Sequence, residues 1–230
     1  MKEFTEKHHA FIVALFYKEL EKSCGKQGEE AFILATQRYA EQRGSRMAQR
    51  AIRDKKSLTF DTYREYGEWT GTETVKKEGG SNVVEEISFS PDYEIKILRC
   101  PWAEQFKKMN MAGAGKVYCT YLDKSIVRGF NPCLEFEVPQ TMYEHECCIQ
   151  IMKEADFDKN QNVIKNPENI KNFDYHCGHC YKTFKDIITA IFKIKGEEIS
   201  LKVLKGFEEE YGEEMAEVLH SYLKVDFNLI

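Results

Sequence analysis

Val83 to Arg99, VVEEISFSPDYEIKILR, is the stretch that decides the fold class. Two short runs flank Ser90-Pro91-Asp92, a turn signal, and the second sets Tyr93, Ile95 and Ile97 against charged neighbours. Further along, CLEFEV (Cys133 to Val138) alternates again, and HECCIQIM (His145 to Met152) puts Cys147, Ile149 and Ile151 on one side and Cys148, Gln150 and Met152 on the other. Four short strands of this kind predict an antiparallel sheet with one face packed on helices.

Working outward, Phe11, Leu15, Phe16 and Leu20 recur at helical spacing between Glu3 and Cys24, and Gly25 follows as a stop. A second helix is expected from Glu29 through Arg50, with Phe32, Ile33, Thr36 and Tyr39 inward. Residues 71–82 and 156–173 read as loops. Pro101 opens a short helix through Met109, another runs from Gly115 to Arg128 and ends at Gly129, and Asp174 caps a helix that Gly196 closes. A last helix is expected over Ser200 to Leu223. The predicted class is α+β, a helical N-terminal pair plus a roughly four-stranded antiparallel sheet packed by helices. The division is a helical segment over residues 1–70 and an α+β body over 71–230 carrying the site, the two forming one compact unit.

The 230 residues suffice to bury one sizeable core, and 42% hydrophobic with 31% charged residues is the composition of a chain that folds in water. No apolar run approaches the roughly 18 residues of a membrane span, and MKEFTEKHHA lacks a basic segment leading an apolar one, so the expected location is cytoplasmic. A formal charge of −5 argues against a nucleic-acid surface. The partner expected is a small molecule, with neither membrane nor nucleic acid; assembly into a homo-oligomer stays open. Eight cysteines in such a chain read as thiols, thiolates or ligands rather than disulfides, and only Cys177 and Cys180 form a C-x-x-C.

DYHCGHCYKTF (Asp174 to Phe184) carries the densest chemistry. With Asp174 as cap, Cys177 falls where a helix N-terminus favours a thiolate, and His176 and His179 can supply or store a proton. The same cysteines also suit a buried stripe, and histidine with cysteine at helical spacing can hold a metal, though no second C-x-x-C completes a zinc ribbon. Arg43, Arg46 and Arg50 share one helical face. Three like charges there are solvated, paired with acids such as Glu41 and Asp54, or turned toward an anionic ligand. Cys119 and Asp123, four apart, pair a thiol with a carboxylate, and Trp69 and Trp102 supply rings for a pocket.

Several stretches in order, RGSRMAQRA with YGEW downstream, RCPWAEQF, YCTYLD, RGFNP and YHCGHCY, resemble the L-2-amino-thiazoline-4-carboxylic acid hydrolase family. The resemblance implies a cofactor-independent, metal-free hydrolase that opens a small carboxylated ring, a cyclic amidine, by attack at C2 and loss of a thiolate. On that reading Cys177, His176, His179 and Asp123 are the catalytic candidates. Arg43, Arg46 and Arg50 form an arginine clamp for the carboxylate, and Cys119, Trp102 and Tyr181 complete the substrate-binding set. The alternative is a non-enzymatic module that senses a small ligand, zinc or oxidants through the same residues.

Overall fold

The computed structural model describes residues 3–160 and 163–230; Met1 and Lys2 of the opening stretch, and Gln161 and Asn162 of the predicted 156–173 loop, lie outside them. Helix α1, Glu6–Arg53, is bent at Gly25, whose φ of 55° and ψ of −132° interrupt the helical backbone. A left-handed φ is tolerated by glycine at little cost, and it separates the two helices that the sequence predicts. Inward residues of both halves, Phe16, Leu20, Phe32 and Tyr39, are buried.

Strands β1 (Val83–Ser88), β2 (Tyr93–Arg99), β3 (Phe136–Gln140) and β4 (Cys148–Met152) make one antiparallel sheet in the order β1-β2-β4-β3. The α+β class therefore stands. Strand β3 starts later than CLEFEV suggests, because the Asn131 side chain accepts the Cys133 N–H and folds residues 131–134 into a turn. The expected 71–82 loop contains a short helix, α3 (Glu73–Lys77), after α2 (Phe60–Glu65). Pro101 begins α4 (Pro101–Lys108), as its fixed φ and missing N–H favour.

Helix α5, Ala112–Phe130, crosses α1 at glycines. A Cβ on Gly44 would stand 2.0 Å from the Ile126 carbonyl oxygen, and one on Gly129 2.4 Å from that of Glu41. Gly129 is thus inside the helix and permits close approach, which corrects its reading as a left-handed stop. Gly196 is corrected likewise: it lies within α7 (Ile194–Tyr211) against the Ile188 carbonyl, and Lys193, at φ 57°, ends α6 (Phe173–Phe192). Asn172, not Asp174, precedes α6, and Gly212 at φ 97° divides the last predicted helix into α7 and α8 (Glu213–Ser221).

The main core lies where α1, α5, α6 and α7 meet, around Phe16, Phe32, Tyr118, Phe184 and Phe207. Among the described residues no helix is long and apolar enough to cross a membrane.

Candidate active site

Between the sheet and the helices lies a cavity of about 430 Å³. Register explains its floor. Ile97 pairs with Cys148, Ile95 with Gln150, and Phe136 with Met152, so all six side chains share one face, and all six line the cavity. The facing wall comes from helices: Arg43 and Met47 of α1, and Cys119, Leu122 and Asp123 of α5, four positions apart on one side. Trp69, Trp102 and Lys165 close it.

Three cations line that space with no direct ion pair among the described residues: Arg43, Lys165, and Arg64, whose guanidinium lies over the Tyr93 and Phe157 rings. Arg43 lies over the Tyr39 ring at 5.7 Å and is 7% exposed. Lys165 donates to the Trp69 carbonyl at 2.7 Å, and burial with the charge of Arg43 lowers its pKa to about 8. Opposite in charge is Asp123. Burial pushes its carboxyl up to about 6, against the charge of Arg43 and a 2.8 Å hydrogen bond from Gln150 Nε2, which both pull it down. A carboxylate poised there exchanges protons near neutrality.

Arg43, Trp69, Trp102, Tyr118 and Leu122 also border a recess of about 20 Å³ behind the cavity, which His9, Tyr39, Phe173 and His176 complete. Hydrogen bonding fixes the tautomers. Trp102 Nε1 can only donate, so His9 Nδ1 accepts it at 3.1 Å and His9 Nε2–H donates to Tyr39 Oη at 3.0 Å. His176 Nε2–H donates to the Glu68 carbonyl at 3.2 Å, which leaves Nδ1 as a bare acceptor. Burial, and then the charge of Arg43, lowers the His176 pKa to about 3, so the ring is neutral. Arg43 Nε, Tyr118 Oη and His176 Nδ1 are buried and have no partner among the described residues. Two donors and one acceptor around room for a single water match what one water can satisfy.

The other two arginines of the expected clamp look the opposite way. Arg46 forms a fork on Glu68, Nε to Oε1 at 3.0 Å and Nη2 to Oε2 at 2.7 Å, and Arg50 Nη2 adds a 2.7 Å bond to Oε1. Glu68 is fully buried. Burial alone would raise its carboxyl, yet Arg46 and Arg50 hold it down at about 2. Glu41 and Asp54, the acids expected to neutralise this face, bond Arg128 and Arg53 instead. Only Arg43 of the three lines the cavity.

The DYHCGHCYKTF stretch is divided similarly. Cys177 is 0% exposed in the main core, off the cavity wall, and burial, with Cys180 and Asp174 nearby, pushes its thiol well up. Packing sets the surroundings of this thiol and opposes the pull of the helix terminus toward a thiolate. His179 Nε2 donates to Gln42 Oε1 at 2.9 Å and its ring stacks on Phe227 at 4.3 Å; Tyr181 donates to the Ser200 carbonyl at 3.1 Å. Neither reaches the cavity. His176 reaches the recess, while Asp123, Cys119 and Trp102 stand on the cavity wall.

Three thiols also line the cavity: Cys100, raised to about 11 by burial, Cys148, raised to about 12, and Cys119, which burial also pushes well above the ordinary thiol value. All are protonated at neutral pH. Among the described residues no group of three His, Cys, Asp or Glu side chains is arranged to hold a metal.

Glu68, Lys165, Tyr118 and Gln150 escaped assignment from the sequence. Glu68 sits in YGEW, whose acid between two aromatics was the available signal; Lys165 lies in an aperiodic loop that offers none. Comparison with family models gives a match to L-2-amino-thiazoline-4-carboxylic acid hydrolase over residues 4–149. The match takes in Arg43, Glu68, Cys119 and Asp123 and stops before His176, Cys177 and His179. No curated protein and no solved structure matches the chain.

Proposed function

Since the chain belongs to the L-2-amino-thiazoline-4-carboxylic acid hydrolase family, ring-opening hydrolases of a cyclic amidine, we propose that it performs this reaction in the cavity between the sheet and α5, with Asp123 as the acid/base. The supporting observation is the arrangement of charge: Arg43 and Lys165, neither in a direct ion pair among the described residues, share one chamber with a carboxylate whose pKa is about 6. A carboxylated amidinium has the complementary pattern. Its carboxylate meets Arg43 and Lys165, and its cationic amidine meets Asp123.

Water then attacks C2, forming the C2–O bond and breaking C2–S. Asp123 accepts the proton that the water loses and returns it to the departing sulfur. The products are a carbamoyl group on nitrogen and a free thiol, the extra proton that the amidinium carried passes to solvent, and no oxidant or reductant is needed. Cys119 and Cys148, neutral beside Asp123, shape the pocket, and the buried His176 lies across the recess behind Arg43. Cys177, as a core residue, supports α6 rather than attacking carbon.

Release of a free thiol from 2-amino-thiazoline-4-carboxylate, followed with a chromogenic disulfide, tests the reaction. Arg43→Ala is expected to raise KM about tenfold or more, the worth of one charge-assisted hydrogen bond, while changing kcat little, because the carboxylate is held equally before and during reaction. An unchanged KM would place the carboxylate elsewhere. Arg46, engaged by Glu68, is not expected to behave this way.

A further inference from the structure

The cavity is too large and too apolar for the small ring alone. A 2-amino-thiazoline-4-carboxylate fills on the order of 150 Å³ at the packing density of a protein interior, whereas the chamber offers about 430 Å³. That size suits a ligand up to about three times larger. Apart from Arg64, which lies over Tyr93 and Phe157 at one end of the sheet, the charged groups stand on the helix side. Arg43 and Asp123 project from α1 and α5, and Lys165 from the loop beside Trp69.

The sheet wall is different. Val84, Ile95, Ile97, Phe136 and Met152 line it, and Gln150 is its one amide, already donating to Asp123. Ile95, Ile97, Phe136 and Met152 are only partly buried, and Val84 is 46% exposed. Apolar side chains left half-covered on a concave face, with few groups to hold water in place, gain from any apolar surface that displaces that water.

We propose that the substrate of this chain is a carboxylated cyclic amidine bearing an apolar substituent, branched-alkyl or aryl in size, that lies on the β1–β4 face while the ring sits between Arg43, Lys165 and Asp123. The proposal rests on the ring-opening reading for the position of the ring. The selectivity for the substituent belongs to the sheet, with Ile97 and Met152 as the residues that set its length.

The test uses the intact protein and three compounds: the parent 2-amino-thiazoline-4-carboxylate and derivatives carrying an isobutyl group on ring carbon 5 or on the exocyclic nitrogen. Binding by calorimetry and thiol release are measured for each. One buried methylene is worth about fourfold in affinity, so at least one derivative is expected to bind about tenfold or more tightly than the parent and to gain similarly in kcat/KM. Ile97→Trp, which fills the apolar side, is expected to bring that ratio to one or below; the wild-type comparison stands whether or not the variant folds. Tight binding of a derivative with no thiol from any compound supports the apolar subsite and overturns the ring-opening reading. Turnover of the parent with neither derivative bound more tightly overturns the apolar subsite alone. No binding by any of the three overturns both.

Discussion

Asp123→Asn is expected to lower kcat by about 10²- to 10⁴-fold, the usual contribution of a positioned acid/base. The substitution is nearly isosteric and keeps a side-chain acceptor for Gln150 Nε2, whose bond to Asp123 is 2.8 Å long. What disappears is the charge. The amide neither takes a proton from water nor balances an amidinium, so kcat should fall more than KM rises. Because Asp123 is half-buried on the cavity wall rather than in the core, thermal stability should change little. A variant within threefold of wild-type kcat would remove Asp123 from the chemistry.

Glu68→Gln is the second large effect, and it is on stability. Two guanidinium groups, Arg46 at 1% exposure and Arg50 at 5%, converge on one carboxylate that is itself fully buried. Removing the charge of one partner leaves the others uncompensated in the interior, which costs about 3–5 kcal/mol. The glutamine NH₂ also opposes N–H donors where an acceptor stood. At about 2–4 °C per kcal/mol for a chain of this size, Tm is expected to drop by roughly 10 °C, measured by calorimetry beside wild type. Arg50 Nη1 already lacks a partner among the described residues, so the network has no spare acceptor to absorb the loss. A Tm within about 2 °C of wild type would mean that the buried charges are compensated some other way.

Much of the fold was legible because its signals are local. Alternation marked three of the four strands, the Ser90-Pro91-Asp92 turn set off the first, and Gly25 and Pro101 acted as their backbone chemistry requires. Misreadings came where one residue type serves two physical ends. Glycine both stops helices and lets them touch, and at Gly129 and Gly196 a neighbouring carbonyl, invisible in a linear pattern, selects the second use. Asp174 resembled a cap, yet its carboxylate accepts a hydrogen bond from Tyr222 Oη, a residue 48 positions away.

The site was legible in part for the same reason. Of the residues that line the cavity, Cys119 and Asp123 stood out because they lie four apart on one helix, and Arg43 because it belongs to a periodic basic face. Spacing could not tell Arg43 from Arg46 and Arg50, since the difference is made by Glu68, delivered from an aperiodic segment. The His/Cys cluster drew the strongest chemical expectation, but α6 turns Cys177 and Cys180 into the core, and burial raises both thiols. Residue type suggests a reaction only where solvent or substrate can arrive.

The pH dependence of kcat/KM for thiol release is the most direct measurement of where the chemistry lies. In the free protein, activity needs Asp123 ionised, so the acid limb should fall as pH drops through about 6; it needs Lys165 protonated, so the alkaline limb should fall as pH rises through about 8. The predicted profile is a bell between those values, and Asp123→Asn loses the acid limb. A rate that instead climbs steadily from pH 8 to beyond pH 10, and whose acid side survives Asp123→Asn, would be that of a thiolate with its pKa raised by burial, and would contradict a carboxylate acting in this cavity.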